Sequence, residues 1–360
     1  MPTKLSAKMK KTIIIITSIL VVLVIAGGAY LWYMMQQPLY KPGMVRAETN
    51  LRASLVPPEQ AEDPPVWRVE DDIDLFHFAQ GEGRNVLIVH GGPGLPYTEP
   101  WIGLEPLTET YRFHYYDQRG CGKSPRPFDA FVSTNYYENM TALEQTLGLG
   151  AQIADIERIR RLLGDEKLIL IGHSWGGFLA SLYAAEFPNN VDALILVSPA
   201  DALVMPQQSG GLFELVKQRL PADRQADFDA FVQEHLDFGA IFAKSEADLV
   251  ALNQEFGRYY QAVIDIPLPE QGQPGGWMVQ AMYFSMGQRH DYRQALKAVT
   301  APVLVIHGAD DLQTEETTRL YVETFPNTSI QVIEAAGHFS FLEQPVAFAE
   351  IVGNFLASLN

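Results

Sequence analysis

The stretch Gly172-His173-Ser174-Trp175-Gly176 puts a serine between two glycines. An apolar run, Lys167–Ile171, precedes it and an apolar helical pattern, Trp175–Phe187, follows. A strand, a tight turn and a helix in that order expose a serine hydroxyl at the turn, and small neighbours let backbone approach it closely. A hydroxyl is a weak nucleophile until a histidine takes its proton and a carboxylate orients that histidine. With the serine on such an elbow, the acid and then the histidine follow along the chain. Four histidines come after Ser174: His235, His290, His307 and His338. His338 follows Gly337 on the loop after the apolar run Ile330–Ile333, the strand end where sites of open α/β sheets lie. His235 falls in a helical region, and His307 comes before any acid it would need. Pro302–Ile306 runs into His307-Gly308-Ala309-Asp310-Asp311, and spacing from Gly308 favours Asp311 as the acid, with Asp310 structural or capping. Acyl chemistry also needs donors for a developing oxyanion. The N–H of Trp175 and that of Gly92 suit, since Pro93 has none to offer. His90 reads as a structural histidine of the Gly92 loop. Cys121, on a loop that reads as exposed, has no base paired with it and is incidental.

These residues need a scaffold. Val66–Val69 and Ile73–Phe78, with Asp71 and Asp72 between them, read as a β-hairpin. Asn85–His90, Arg112–Tyr116, Lys167–Ile171, Ala193–Val197, Pro302–Ile306 and Ile330–Ile333 are short apolar strands. Helical spacing covers Ala151–Leu163, stopping at Gly164, then Trp175–Phe187 and Gln344–Leu359. Apolar strands alternating with helices predict an α/β fold, a mostly parallel sheet with helices on both faces. The alternation stops from 201 to 298, where Gly211–Leu220, Arg224–Phe238 and Glu246–Ala262 are helix-like and no strand convinces. That stretch reads as a helical cap inserted between core segments 66–200 and 299–360.

Before the core, Lys4, Lys8, Lys10 and Lys11 form a basic segment over residues 1–11, and residues 12–35 carry no charge. The apolar part, Ile13 to Met35, spans roughly 34 Å as a helix, enough to cross a bilayer core of ~30 Å. All early charge is positive, which places the N-terminus in the cytoplasm and the folded part beyond the membrane. The competing reading is a cleaved signal, with Ile13–Ile25 as its apolar core and Gly27 and Ala29 near the cut. Aromatics at Tyr30, Trp32 and Tyr33 suit a membrane interface and favour the anchor. Residues 36–65 hold Pro38, Pro42, Pro57, Pro58, Pro64 and Pro65, which read as an extended linker or an irregular arm laid on the domain.

Composition narrows the function further. Hydrophobic residues at 47% and charged residues at 19% exclude a disordered chain. With 26 basic and 43 acidic residues the net charge is −17, which argues against nucleic-acid binding. A single cysteine excludes an intramolecular disulfide and a cysteine-based zinc site. No cofactor or metal is expected, since the serine chemistry needs neither.

Four motifs occur in order: His90-Gly-Gly-Pro-Gly94, Tyr116-Asp-Gln-Arg-Gly-Cys-Gly-Lys-Ser124, Asp155-Ile-Glu-Arg-Ile-Arg160 and Gly172-His-Ser-Trp-Gly-Gly177. Together they resemble the prolyl iminopeptidase group of the α/β-hydrolases, over roughly 66–200 and 299–359. The resemblance implies the α/β-hydrolase fold, a triad of Ser174, Asp311 and His338, and an oxyanion hole of Gly92 and Trp175. It implies release of an N-terminal residue from short peptides, the free amine being held by cap carboxylates. The cap offers Glu214, Glu234, Asp237, Glu246 and Glu255, none of which aligns with the family's amine-binding positions. Glu214, Glu234 and Trp277 are the candidates for substrate contact. His173 departs from the group's elbow, where glycine is common. The alternative is an esterase or lactonase acting on a small apolar substrate under a cap rich in aromatics: Phe213, Phe231, Tyr259, Tyr260, Trp277, Tyr283 and Phe284.

Overall fold

The computed structural model describes residues 6–60, 66–207 and 211–359; Lys4, Pro64 and Pro65 lie outside them. Helix α1 (Ala7–Met35) contains Lys8–Tyr30, a stretch of mean hydropathy 2.7, long and apolar enough to cross a membrane. Its side chains from Val21 to Ile25 are all at least half exposed.

The strands are β1 (Val66–Glu70), β2 (Ile73–Gln80), β3 (Arg84–Val89), β4 (Tyr111–Tyr116), then β5 (Leu168–His173) after helices α2 (Tyr136–Leu147) and α3 (Leu149–Leu163). Helix α4 (Trp175–Glu186) leads to β6 (Val191–Val197) and the short β7 (Val204–Met205). The insertion follows as α5 (Gly211–Arg219), α6 (Ala222–His235), α7 (Glu246–Gln261) and α8 (Trp277–Met286), and closes with β8 (His290–Asp291). The chain ends through α9 (Arg293–Leu296), β9 (Val303–Gly308), α10 (Glu315–Thr324), β10 (Thr328–Ile333), α11 (Ser340–Glu343) and α12 (Pro345–Ala357).

Eight strands form one sheet in the order β1-β2-β4-β3-β5-β6-β9-β10, antiparallel at the β1-β2-β4 end and parallel elsewhere. Every residue of β5 and β9 is buried, which requires helices over both faces. The parallel registers pair Val89 with Gly172, His173 with Val197, Val197 with Ile306 and Ile333 with Gly308. The C-terminal ends of β3, β5, β6, β9 and β10 therefore share one edge. The loops carrying Gly92, Ser174, Asp311 and His338 all leave from it.

One feature differs from the sequence reading, and a second matches one of the two alternatives it left open, the arm laid on the domain. Strands β7 and β8 pair antiparallel and tie the two ends of the insertion together, within a stretch that reads as strandless. Residues 36–60 lie on the core: Tyr40, Val45 and Leu55 are buried. Glu186, at the end of α4, accepts from Tyr40 Oη (2.9 Å), Gly43 N (2.7 Å) and Arg46 N (3.0 Å). The Gln36 carbonyl accepts from Gln288 N and Arg289 N. Residues 42–50 of this arm are wound into turns, with Ala47 N donating to Gly43 O (3.1 Å) and Thr49 N to Met44 O (2.9 Å), and Glu186 holds that turn down through three donors.

Two of the motifs meet in the core as a buried ion cluster. Arg119 reaches Asp155 (2.5 Å) and Glu70 (2.8 Å), and Arg158 reaches the same two carboxylates at 3.1 and 3.0 Å. Burial pushes the Glu70 carboxyl up, but Arg119 and Arg158 outweigh it and hold it below the ordinary range. A depressed folded value stabilises the protein above the ordinary carboxyl pKa, and that stabilisation is lost as pH falls through the folded value. Arg119→Met leaves Arg158 as the one buried cation for two buried carboxylates and is expected to cost about 3–5 kcal/mol in denaturant unfolding of the full chain in detergent.

Candidate active site

Ser174 stands between β5 and α4 with φ +54° and ψ −121°, a conformation side chains rarely adopt. Its N–H donates to Val197 O (2.9 Å), and its carbonyl accepts from Gly177 N (2.9 Å) and Ala200 N (3.0 Å). The flanking glycines follow from packing: a Cβ on Gly172 would strike the Gly176 carbonyl, and one on Gly176 the Val89 carbonyl. The Ser174 side chain is half-buried, and its hydroxyl has no hydrogen-bond partner among the described residues.

The loops after β9 and β10 are laced by Ala309 N to Ile333 O (2.9 Å) and Asp310 N to Ala336 O (2.8 Å). Gly308 packs so closely on the Gly337 carbonyl that a Cβ has no room. This juxtaposition sets His338 Nδ1 at 3.1 and 2.9 Å from the two oxygens of the buried Asp311. Asp310 is exposed. Burial pushes the Asp311 carboxyl up, yet His338 beside it, with the Gln313 N–H donating at 2.9 Å, holds it below the usual carboxylate range. An ionised carboxylate only accepts, so Nδ1 carries the imidazole proton and Nε2 is left as the basic nitrogen.

His338 also lies against the residue before Ser174: the rings of His173 and His338 are 4.7 Å apart. On the loop after β3, a Cβ on Gly91 would sit 3.0 Å from Ser174 Cβ. Gly92 follows with φ +116°, where a Cβ would meet Leu95 N at 2.7 Å. Trp175 heads α4, so its N–H has no acceptor within the helix. His90 is buried, with Nε2 accepting from Gln118 N (3.1 Å), and burial pulls its pKa down to about 4. Cys121 is fully buried rather than exposed, its thiol donating to Gln118 O (3.1 Å), and burial pushes its pKa well up.

The structure does not bring Glu214, Glu234 and Trp277 together. Glu214 is exposed on α5 and pairs with Gln218 (3.0 Å). Glu234 is exposed on α6 and pairs with Lys244 (3.0 Å). Trp277 is buried within the cap, its Nε1 donating to Asp129 O (3.2 Å). Of the other cap acids, Glu246 is held by Arg126 (2.7 Å) and the N–H groups of Gly276 (3.0 Å) and Trp277 (2.7 Å), while Asp237 and Glu255 are exposed. Tyr260 on α7 is a cap residue that does reach the site, its ring meeting His338 edge-on at 6.2 Å. Its buried hydroxyl has no partner in the described structure.

Sequence reasoning also passed over Glu343. Its carboxylate accepts from Gly337 N (2.7 Å) and Phe339 N (3.0 Å), gripping the backbone on either side of His338. An acid five residues after a loop histidine, just before a helix, was the available signal.

A sequence profile described as the alpha/beta hydrolase fold matches residues 84–345. The chain belongs to the α/β-hydrolase family. It is 27% identical over 292 residues to a proline iminopeptidase of Heyndrickxia coagulans, covering 78% of this chain and 92% of that one. Among solved structures it resembles a proline iminopeptidase of Mycobacterium smegmatis with a TM-score of 0.54 at 20% identity, over 80% of this chain and 96% of that one. It resembles a thermophilic esterase from Thermogutta terrifontis to a similar degree, with a TM-score of 0.52 at 22% identity, over 80% and 94% of the two chains. At those identities the two structures speak for the shared fold. This α/β-hydrolase thus has peptidase relatives in sequence, and both peptidase and esterase neighbours in structure.

Proposed function

We propose that this α/β-hydrolase is a serine hydrolase. Ser174 Oγ attacks the substrate carbonyl while His338 Nε2 takes its proton. The same imidazole then protonates the leaving group, and water, activated by His338, releases the acyl group from Ser174. The N–H groups of Gly92 and Trp175 receive the oxyanion. The observation that carries this reading is the buried Asp311–His338 pair, packed against the residue preceding an elbow serine.

On substrate, the sequence relatives favour release of an N-terminal residue, with a proline-type preference, from short peptides. A second reading, a small apolar ester, is favoured by the cap itself. Its acids are exposed or already bonded, whereas a desolvated ammonium needs a negative partner. In either case α1 anchors the enzyme with its lysines in the cytoplasm and the catalytic domain beyond the membrane. The positive-inside tendency of Lys8, Lys10 and Lys11 supports that placement.

Comparison of kcat/KM on prolyl- and alanyl-arylamides, with the amine free and then blocked, against short acyl esters separates the two substrates. The peptidase reading expects arylamide cleavage that blocking abolishes. Ester turnover without arylamide cleavage would establish the second reading instead.

A further inference from the structure

His173, the last residue of β5 and the neighbour of the elbow serine, bonds on both sides. Its Nε2 lies 2.8 Å from the His338 backbone carbonyl, and its Nδ1 lies 2.6 Å from Tyr97 Oη. The ring is buried in an apolar box of Trp101 (6.0 Å), Phe339 (5.3 Å) and Phe341 (5.3 Å). Burial, with His338 beside it, pulls its pKa down to about 3, so the imidazole is neutral and carries one N–H. A carbonyl oxygen only accepts, so that proton sits on Nε2. Nδ1 must then accept, and Tyr97 donates its O–H to it. The His338 carbonyl thus sets the tautomer, and the Tyr97 hydroxyl holds the other side of the ring. If Nδ1 held the proton instead, a lone pair would confront the His338 carbonyl.

The bond also completes the restraint of the His338 loop. Glu343 holds the N–H groups of Gly337 and Phe339, Asp311 holds the imidazole Nδ1, and His173 holds the carbonyl between those two N–H groups. No other described group bonds that carbonyl. The geometry points to His173 as a positioning residue for the general base, with Tyr97 holding the opposite nitrogen of its ring. This inference rests on the serine hydrolase reading and adds to it a residue that touches neither substrate nor Ser174 Oγ.

The test uses the full chain in detergent and diisopropyl fluorophosphonate, which reports on activated serine whatever the natural substrate. Inactivation is followed as kinact and KI, with near-UV circular dichroism as a check on each fold. His173→Phe keeps the ring's bulk and removes the donor. It is expected to lower kinact by about 10- to 100-fold, the penalty of a base displaced by a fraction of an ångström to one ångström, with KI within about twofold. His173→Gln places an amide N–H near the position of Nε2 and should recover most of that loss. Tyr97→Phe should slow kinact in the same direction, and the double variant Tyr97→Phe/His173→Phe should be no slower than His173→Phe alone.

Unchanged kinact in His173→Phe overturns the inference. Equal loss in His173→Phe and His173→Gln overturns it too, because the side chain would then only fill space. Failure of the unmodified protein to label at Ser174 is a different result, and it removes the hydrolase reading itself.

Discussion

Ser174→Ala is expected to leave the fold intact and to lower kcat by a factor on the order of 10⁶, measured on whichever arylamide or ester the unmodified protein turns over. The expectation follows from what the side chain does. Its hydroxyl has no hydrogen-bond partner among the described residues, so removing it orphans nothing. The positive φ at this position is as demanding for alanine as for serine, and the backbone bonds to Val197, Gly177 and Ala200 do not involve the side chain. Thermal unfolding should therefore move little while turnover disappears. Turnover that survives would mean that another group attacks the substrate.

Asp311→Asn should lower kcat by about 10⁴ with the packing preserved. The carboxylate accepts from His338 Nδ1 and so keeps the imidazole proton on Nδ1, leaving Nε2 for the base role proposed above. An amide can present its NH2 group there instead, which moves the proton to Nε2 and removes the base. The change also deletes a buried negative charge that would stabilise the imidazolium formed during the reaction. Asp310→Asn, one residue earlier and exposed, should change kcat by no more than about twofold, as surface substitutions away from a site usually do. A comparable loss in both variants would assign the acid wrongly.

The sheet and the elbow were legible because the physics behind them is local. Apolar runs of β5, β6 and β9 have no polar alternation, which itself marks strands covered on both faces, and the structure buries them fully. The glycines at 172 and 176 declare a backbone approach that a Cβ would block. Helix α2 escaped detection although Asn135 and Glu138 carry a start signal, Asn135 accepting from Tyr137 N and Glu138 N. Its apolar positions are interrupted, so periodicity alone did not reveal it. Helix α8 was hidden for the opposite reason: Trp277 to Met286 is apolar almost all round, with no face to read.

What the sequence did not disclose is where side chains at remote positions converge. Glu186 anchors the proline-rich arm across more than a hundred residues of chain, and Arg119 finds Glu70 and Asp155 at separations of 49 and 36 residues. Tyr260 meets His338 only because α7 folds back over the sheet edge. The cap acids illustrate the converse error. A carboxylate on a helix is an amine ligand only if it is desolvated and otherwise unsatisfied, and Glu214 and Glu234 are neither.

The most direct measurement is the site of covalent modification by a fluorophosphonate. The full chain is treated, digested and mapped by mass spectrometry, beside Ser174→Ala and His338→Ala. The expected result is a single adduct on the peptide containing Ser174, absent from Ser174→Ala and formed far more slowly in His338→Ala. An unmodified chain that takes no adduct, or an adduct that persists in Ser174→Ala, would contradict a Ser174 nucleophile served by His338 and Asp311.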